Sequence, residues 1–538
     1  MAASRETAVA HAPEAGGSLG RIATPRLVYV VIAVAAVAGA LLRLYQLSRP
    51  GYLLGVTEYD DGVQFGDAVR LVSGVIPYRD FVVVQPPGSV LLMTPAALLA
   101  KVTGTAWGLG IARLLTAAAD TACIVLLGLL VRHRGPLAAG IACGVYAVYP
   151  DALVAAHTFL LEPWLNLFCL LAALRVFEGD QITGQRRRLA WGGVLFGVAA
   201  AVKIWAVVPL AVVAVLVARR PRQLRALAAG AAAGFGVLVL PFLIMAPGGL
   251  IKDVVVSQFV RDNLSQAAPL SPLSRLTDLA GLSLFSGLPA SLRALIVLAA
   301  AAVVPLAYLA VAMTVRRLPA PLDWYALIGV VAVIIMFLWP YNYWSHYGGF
   351  AGPFIALVLA LPVGLLRPAD GPAESGDRVV PLIAVGVIAT VVIAGVGLRQ
   401  LAAETKLVAL STPAAAADKL IPAGSCVVTN DTSLTVSADR FTSDTPACSP
   451  MVDAWGTLLA MTGGQKGYAS PQVLAKVTAV WRSAFSDAQY AWIQTGSQGQ
   501  IPWTASLYAY FTSHFRLVGL VNGPGSRHAP KGGLYARR

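Results

Sequence analysis

Apolar runs close to the length of a bilayer recur from Leu27 to Leu398 and fill most of that stretch, and no other feature restricts the fold so tightly. Each run approaches the roughly 20 residues that a lipid-crossing helix needs. Only helices and closed barrels satisfy their backbone polar groups in lipid, and these runs lack the alternation of a barrel strand. A polytopic α-helical membrane protein is therefore expected. Composition agrees: 57% of the 538 residues are hydrophobic and 12% charged, too few charges to cover a water-facing surface, where about 25% is usual.

The formal charge of +14 raises the question of nucleic acid, but the basic residues form no reading motif or basic amphipathic helix, so no nucleic-acid partner is expected. They sit instead in every second connection: Arg132 and Arg134, Arg186 to Arg188, Arg219 to Arg225, and Arg316 with Arg317. The positive-inside rule makes those connections cytoplasmic. Residues 1–26 join them as a disordered cytoplasmic tail, too polar for a signal peptide, which makes Leu27–Leu47 a retained first helix.

That helix exits into a long outer segment, residues 48–107. Further spans are expected near Gly108–Val131, Pro136–Tyr149, His157–Phe177, Ala190–Lys203, Trp205–Val217, Leu227–Ile244, Pro289–Val315, Trp324–Trp339, Gly348–Leu366 and Val379–Leu398, about eleven in all. Between them, Ala246–Leu288 is too long for a simple turn and reads as a folded outer loop. Residues 27–400 thus form the membrane part. Residues 401–538 have an ordinary soluble composition with short strand-like runs, and are expected as an extracytoplasmic α/β domain. Cys426 and Cys448 fall there and can pair in an oxidising compartment, a bridge worth roughly 3 kcal/mol. Aromatics such as Trp455, Trp481, Trp492 and Trp503 suit sugar stacking, and suit an ordinary core better.

The densest polar chemistry follows helix one. Glu58-Tyr59-Asp60-Asp61-Gly62 puts three carboxylates within four positions, and like charges this close raise one another's pKa unless something screens them. A solvated loop is the plain reading. The turn-rich run from Gly74 through Pro77-Tyr78-Arg79-Asp80-Phe81 to Gln85-Pro86-Pro87-Gly88 favours a rigid one. Glu162, at an outer helix end, is costly in apolar surroundings and so a functional candidate, with His157 a weaker companion. Lys203 has no carboxylate near it in sequence and either snorkels or meets an anion. Arg113 and Asp120, seven apart on one helix face, read as a structural polar pair.

The order of these motifs resembles the first outer loop of the GT-C glycosyltransferase superfamily, more narrowly the bacterial protein O-mannosyltransferase relatives and the lipid A aminoarabinose transferases. The resemblance implies a GT-C-like membrane domain. It implies catalysis by Asp60 with Asp61 as acidic neighbour, either of the two being the base. It further implies a second acidic site at Glu162 and His157, and donor-phosphate binding by Lys203, His346 and Tyr347, with Arg79 added as a cation near the loop. Asp60, Asp61 and Glu162 are the candidate ligands for a divalent cation, the one cofactor this pattern suggests.

The implied reaction is an inverting transfer in the plasma membrane from a polyprenyl-phosphate sugar to a glycan, glycolipid or protein acceptor outside the cell. Mannose is favoured, with a polyprenyl-phosphate arabinose donor as the alternative sugar. A lipid-linked sugar flippase or transporter is the alternative outside the enzyme class. Transporters concentrate polar groups near the bilayer midplane, whereas these carboxylates sit at helix ends. No Gly-Lys-Ser/Thr phosphate loop, Gly-x-Gly-x-x-Gly fingerprint or His-Glu-x-x-His zinc motif occurs.

Overall fold

The computed structural model describes residues 18–260, 271–279, 288–289, 291–299, 306, 308, 313, 318–338, 343–365, 391–399, 401–402, 414–462, 470–495, 500–523, 525–527 and 529–538. Helices dominate. In chain order they begin with α1 (Ser18–Leu47), α2 (Tyr59–Val72), α3 (Pro87–Thr103), α4 (Thr105–Val131) and α5 (Pro136–Ala147). They continue with α6 (Pro150–Ala156), α7 (Glu162–Val176), α8 (Arg186–Val202), α9 (Val207–Leu216) and α10 (Pro221–Met245). Proline opens α3, α5, α6 and α10, where its missing N–H costs nothing. Gly104 (φ +89°) and Gly135 (φ +100°) supply the breaks before α4 and α5 in a conformation other residues rarely adopt. The first helix begins at Ser18, inside the stretch expected to be a disordered tail. Once nucleated by an apolar span, a helix extends cheaply into flanking polar residues.

Among the described residues, four helices are long and apolar enough to cross a membrane: Arg26–Leu47, Thr105–Arg134, Pro221–Met245 and Pro321–Leu338. The pair α5 and α6, bent by 58° before Pro150, makes a fifth if counted as one span. Eleven spans are therefore not seen among the described residues. The helices at three expected spans, α7, α8 and α9, are only 15, 17 and 10 residues long. Much of Pro289–Val315, Val379–Leu398 and the outer loop Ala246–Leu288 lies outside the described residues.

Packing follows small residues. Gly193 and Gly197 of α8 face Gly230 and Gly234 of α10, and a Cβ at any of the four would come within 2.0–2.2 Å of a carbonyl oxygen on the opposite helix. Two Gly-x-x-x-Gly motifs thus bring the backbones together as in other lipid-embedded helix pairs. At the C-terminal end of α4, the buried Arg134 lies 2.6 Å from Asp180 and 2.8 Å from Asp323, and donates to the Leu361 carbonyl at 2.7 Å. His133 also reaches Asp180, at 2.7 Å. Asp180 sits in the turn of a two-stranded hairpin, β1 (Phe177–Glu178) with β2 (Gln181–Ile182).

The last part of the chain carries β3 (Val427–Thr429), β4 (Tyr490–Ile493), β5 (Phe515–Gly523) and β6 (Gly532–Arg537) in one sheet of order β3-β4-β6-β5. The β3–β4 pair is parallel and the others antiparallel. Helix Pro471–Asp487 covers the sheet with Val473, Val477, Trp481 and Phe485. Trp481 and Trp492 are fully buried core residues. A disulfide joins Cys426 to Cys448. This part also shares a core with residues 48–107, in which Phe65, Val69 and Met93 pack with Val436, Phe441 and Val452. That shared core positions the site.

Candidate active site

Glu58 is extended (φ −146°, ψ 149°) and α2 starts at Tyr59, which places Asp60 and Asp61 in the first helical turn, where negative charge meets the positive end of the helix dipole. One helical step sends the two carboxylates to different surroundings. Asp61 is completely buried. Arg113 of α4 donates to its Oδ2 from Nε at 3.1 Å and Nη2 at 2.5 Å, Thr57 donates at 3.0 Å, and Thr158 donates as well. Ser433 reaches Oδ1 at 3.3 Å. Asp61 therefore has its hydrogen-bonding capacity taken up by structure, whereas Asp60 is half-buried and lines a cavity of about 360 Å³.

The cavity is built from distant parts of the sequence. Helix α2 contributes Asp60, Gln64 and Asp67, and the loop before α3 contributes Val83 to Gln85. The far end of the chain contributes Asp431, Asp453, Trp455 and Gln500. The Tyr59 hydroxyl donates to Asp453 at 2.9 Å and accepts the Trp455 N–H at 3.2 Å, while the Gly456 N–H donates to Asp453 at 2.8 Å. Ser433 donates to the Glu58 carbonyl at 2.6 Å and packs so tightly on Gly62 that a Cβ there would lie 2.3 Å from its hydroxyl. Two of the buried carboxyls here are shifted upward. Burial pushes Asp431 up to about 7, helped by the charge of Asp61 and opposed by the Ser433 N–H. Burial, then the charge of Asp453, pushes Asp67 well above the carboxylate range.

Positive charge adjoins this acidic space. The end of α8 leaves Lys203 extended (φ −150°, ψ 126°). Its Nζ lies 2.5 Å from Glu162, 3.6 Å from the centre of the Trp205 ring and 4.7 Å from that of Tyr347. His346 stands edge-on to Tyr347 at 4.9 Å, interacts electrostatically with Glu162, and also lines the cavity. It thus joins the acidic cavity to the Lys203 cluster. The 3₁₀ turn Ser345–Phe350 that carries it is seated on α6, where a Cβ on Gly348 would come within 1.7 Å of the Asp151 carboxylate.

The structure accordingly brings Asp60 and His346 to one cavity, and Lys203, Glu162 and Tyr347 beside it. Arg79 stands apart: it is exposed and paired with Asp80 at 2.8 and 2.9 Å, because the turn after Gly74 points it outward. His157 is buried at the end of α6 with Nδ1 3.3 Å from the Leu153 carbonyl oxygen and its ring edge-on to Tyr52. Of the candidate cation ligands Asp60, Asp61 and Glu162, the last two have basic partners, Arg113 and Lys203. Among the described residues no group of three or more His, Cys, Asp or Glu is placed to hold a metal ion.

Arg113 and Asp120 do not pair with each other either. Arg113 holds Asp61, while Arg43 of α1 donates to Asp120 from Nε at 2.7 Å. Each finds a carboxylate or guanidinium on a different segment, which helical spacing alone does not reveal. Sequence reasoning also passed over Gln64 and Asp67. Their spacing from Asp60, four and seven residues, is a polar stripe once α2 is read as a helix. Nothing comparable marks Asp431 and Asp453.

The helical core, the acidic segment after α1 and the C-terminal mixed sheet together resemble glycosyltransferases on two counts, a family match over just under half of the chain and the fold. Residues 84–340 match glycosyltransferase family 87. Among solved structures the fold is similar to ArnT from Cupriavidus metallidurans in the apo state, with TM-score 0.56 and 17% identity over 97% of this chain and 98% of that one. The same enzyme bound to undecaprenyl phosphate gives 0.54 and 16% over the same shares. The archaeal oligosaccharyltransferase AglB from Archaeoglobus fulgidus, in complex with an inhibitory peptide and a dolichol-phosphate, gives 0.51 and 14% over 90% of this chain and 70% of that one. No curated protein matches the sequence.

Proposed function

We propose that the protein transfers a sugar, mannose in the favoured reading, from a polyprenyl monophosphate to a hydroxyl of an envelope glycan, glycolipid or protein outside the plasma membrane. The observation that carries this reading is the division of the aspartate pair, which leaves Asp60 facing a cavity that His346 shares, beside Lys203. In the reaction, Asp60 accepts the proton of the acceptor hydroxyl. The acceptor oxygen bonds to the anomeric carbon as the bond to the phosphate oxygen breaks, with inversion as in the superfamily. His346 and Lys203, the latter held by Glu162, Trp205 and Tyr347, face the charge left on the departing polyprenyl phosphate.

The solved relatives with undecaprenyl phosphate and dolichol-phosphate support a lipid-phosphate donor. The charge pattern supports the outer face: α4 ends among arginines, while its beginning at Thr105 and Ala106 is held by Asp439 from the C-terminal part, at 3.1 and 2.8 Å. On this reading residues 401–538 lie outside the cell and the membrane part holds about eleven spans. The test is transfer from labelled polyprenyl-phosphate mannose by membranes containing Asp60→Asn. Activity should fall by about 10²–10⁴-fold, the usual weight of a general base, with the protein still folded. Undiminished transfer would remove Asp60 from the role given to it.

A further inference from the structure

The cavity has more in it than a base. Asp60, Gln64 and Asp67 lie at i, i+4 and i+7 on α2, hence on one face, and span about 10 Å along the axis at ~1.5 Å per residue. Both residues beyond Asp60 are held out of water, Gln64 at 7% and Asp67 at 2% exposure, and yet Gln64 Oε1 and Asp67 Oδ1 have no hydrogen-bond partner. Buried acceptors left unpaired cost free energy unless a ligand supplies donors. Sugar hydroxyls are such donors. Among the described residues lining this space there are five carboxylates (Glu58, Asp60, Asp67, Asp431 and Asp453) and no lysine or arginine, so a negatively charged sugar would be repelled. Trp455 and Trp344 supply aromatic faces on the same walls.

We propose that the α2 stripe is an acceptor track for two neutral sugar rings, the reacting ring at Asp60 and the next ring hydrogen-bonded by Gln64 and Asp67. The proposal rests on the reading of Asp60 as the base and adds what the acceptor must be: a neutral glycan at least two rings long, with Gln64 and Asp67 as specificity-determining positions. Burial, then the charge of Asp453, favours the neutral form of Asp67, which has both a donor and an acceptor for a vicinal diol.

The experiment is saturation-transfer NMR on the full-length protein in lipid nanodiscs, with methyl mannobioside, methyl mannoside and a glucuronic-acid-terminated disaccharide as probes. Both rings of the mannobioside should show contact in the wild type, and the acidic disaccharide should bind about tenfold or more weakly. In Asp67→Leu and Gln64→Leu the second ring's signal should fall several-fold while the first ring's persists, and Asp67→Asn should restore it. Asp67→Leu should also raise the thermal midpoint, since an unpaired buried oxygen is removed. Equal loss on both rings, or no binding of any neutral sugar by the wild type, would overturn the track. Two-ring binding without transfer from polyprenyl-phosphate mannose would instead retire the proposed reaction and leave the track standing.

Discussion

The two ends of α4 hold similar charged residues in opposite states of balance. At the C-terminal end Arg134 sits between Asp180 and Asp323 and also donates to a carbonyl, so guanidinium and carboxylates answer one another. At the N-terminal end Arg113 is likewise satisfied, by Asp61 and by the Tyr52 and Leu53 carbonyls, but five further carboxylates crowd a cavity without a cation of their own from lysine or arginine among its described walls. A balanced buried cluster holds helices together; an unbalanced one stores electrostatic and hydrogen-bonding demand that a substrate can meet. The contrast even operates within a dipeptide, where Asp61 behaves like the far end of α4 and Asp60 belongs to the cavity.

The contrast breaks if both ends respond alike to mutation. Arg134→Met should destabilise by about 3–5 kcal/mol, because buried Asp323 loses its partner, with transfer per folded molecule unchanged. Asp60→Asn should do the reverse, and unfolding in detergent beside a transfer assay reads both. A similar loss of stability in the two variants would erase the distinction. Arg113→Met alone should cost about 3–5 kcal/mol, and adding Asp61→Leu should recover much of it, since an apolar pair leaves no charge unanswered. Failure of the double variant to recover would mean that Asp61 is held for more than its ion pair.

A smaller effect tracks pH. The Asp431 carboxyl titrates near 7 when folded and near 4 in an unfolded chain, so the folded state binds more protons between about pH 4 and about pH 7. The stability this provides is complete below the lower value and is lost as pH rises through the upper one. Thermal midpoints should therefore fall from about pH 5 to about pH 8. Asp431→Asn, which can still accept from the Ser433 N–H, should remove part of that slope, and Asp67 the rest. A midpoint that climbs over this range would contradict the burial described. Smallest of all, Arg79→Ala should leave both stability and transfer unchanged, because its exposed pair with Asp80 is screened by solvent.

How legible the molecule is in its sequence depends on the range over which each feature is determined. The limits of α4, α5, α8 and α10 follow from apolar length, proline and arginine, all local signals. The motif order carries enough of the GT-C pattern to mark Asp60, Glu162, Lys203 and His346, and the structure joins Lys203 to Glu162 across 41 positions. Other features are decided by partners far away. Asp60 and Asp61 are indistinguishable as neighbours until Arg113, Thr158 and Ser433 arrive, and Asp431 and Asp453 reach the cavity only because Val436, Phe441 and Val452 share a core with α2 and α3. The close approach of α8 to α10 was written in two Gly-x-x-x-Gly repeats, a signal passed over because each glycine also suits an ordinary apolar run.

Ser433 grips the backbone at Glu58 and Tyr59, and only glycine at position 62 leaves it room. The helix bearing Asp60 is thus finished by residues that leave the ribosome some 370 positions later. A chain that stopped before Asp431 would lack these contacts, so the surroundings of Asp60 are completed only by the far end of the sequence.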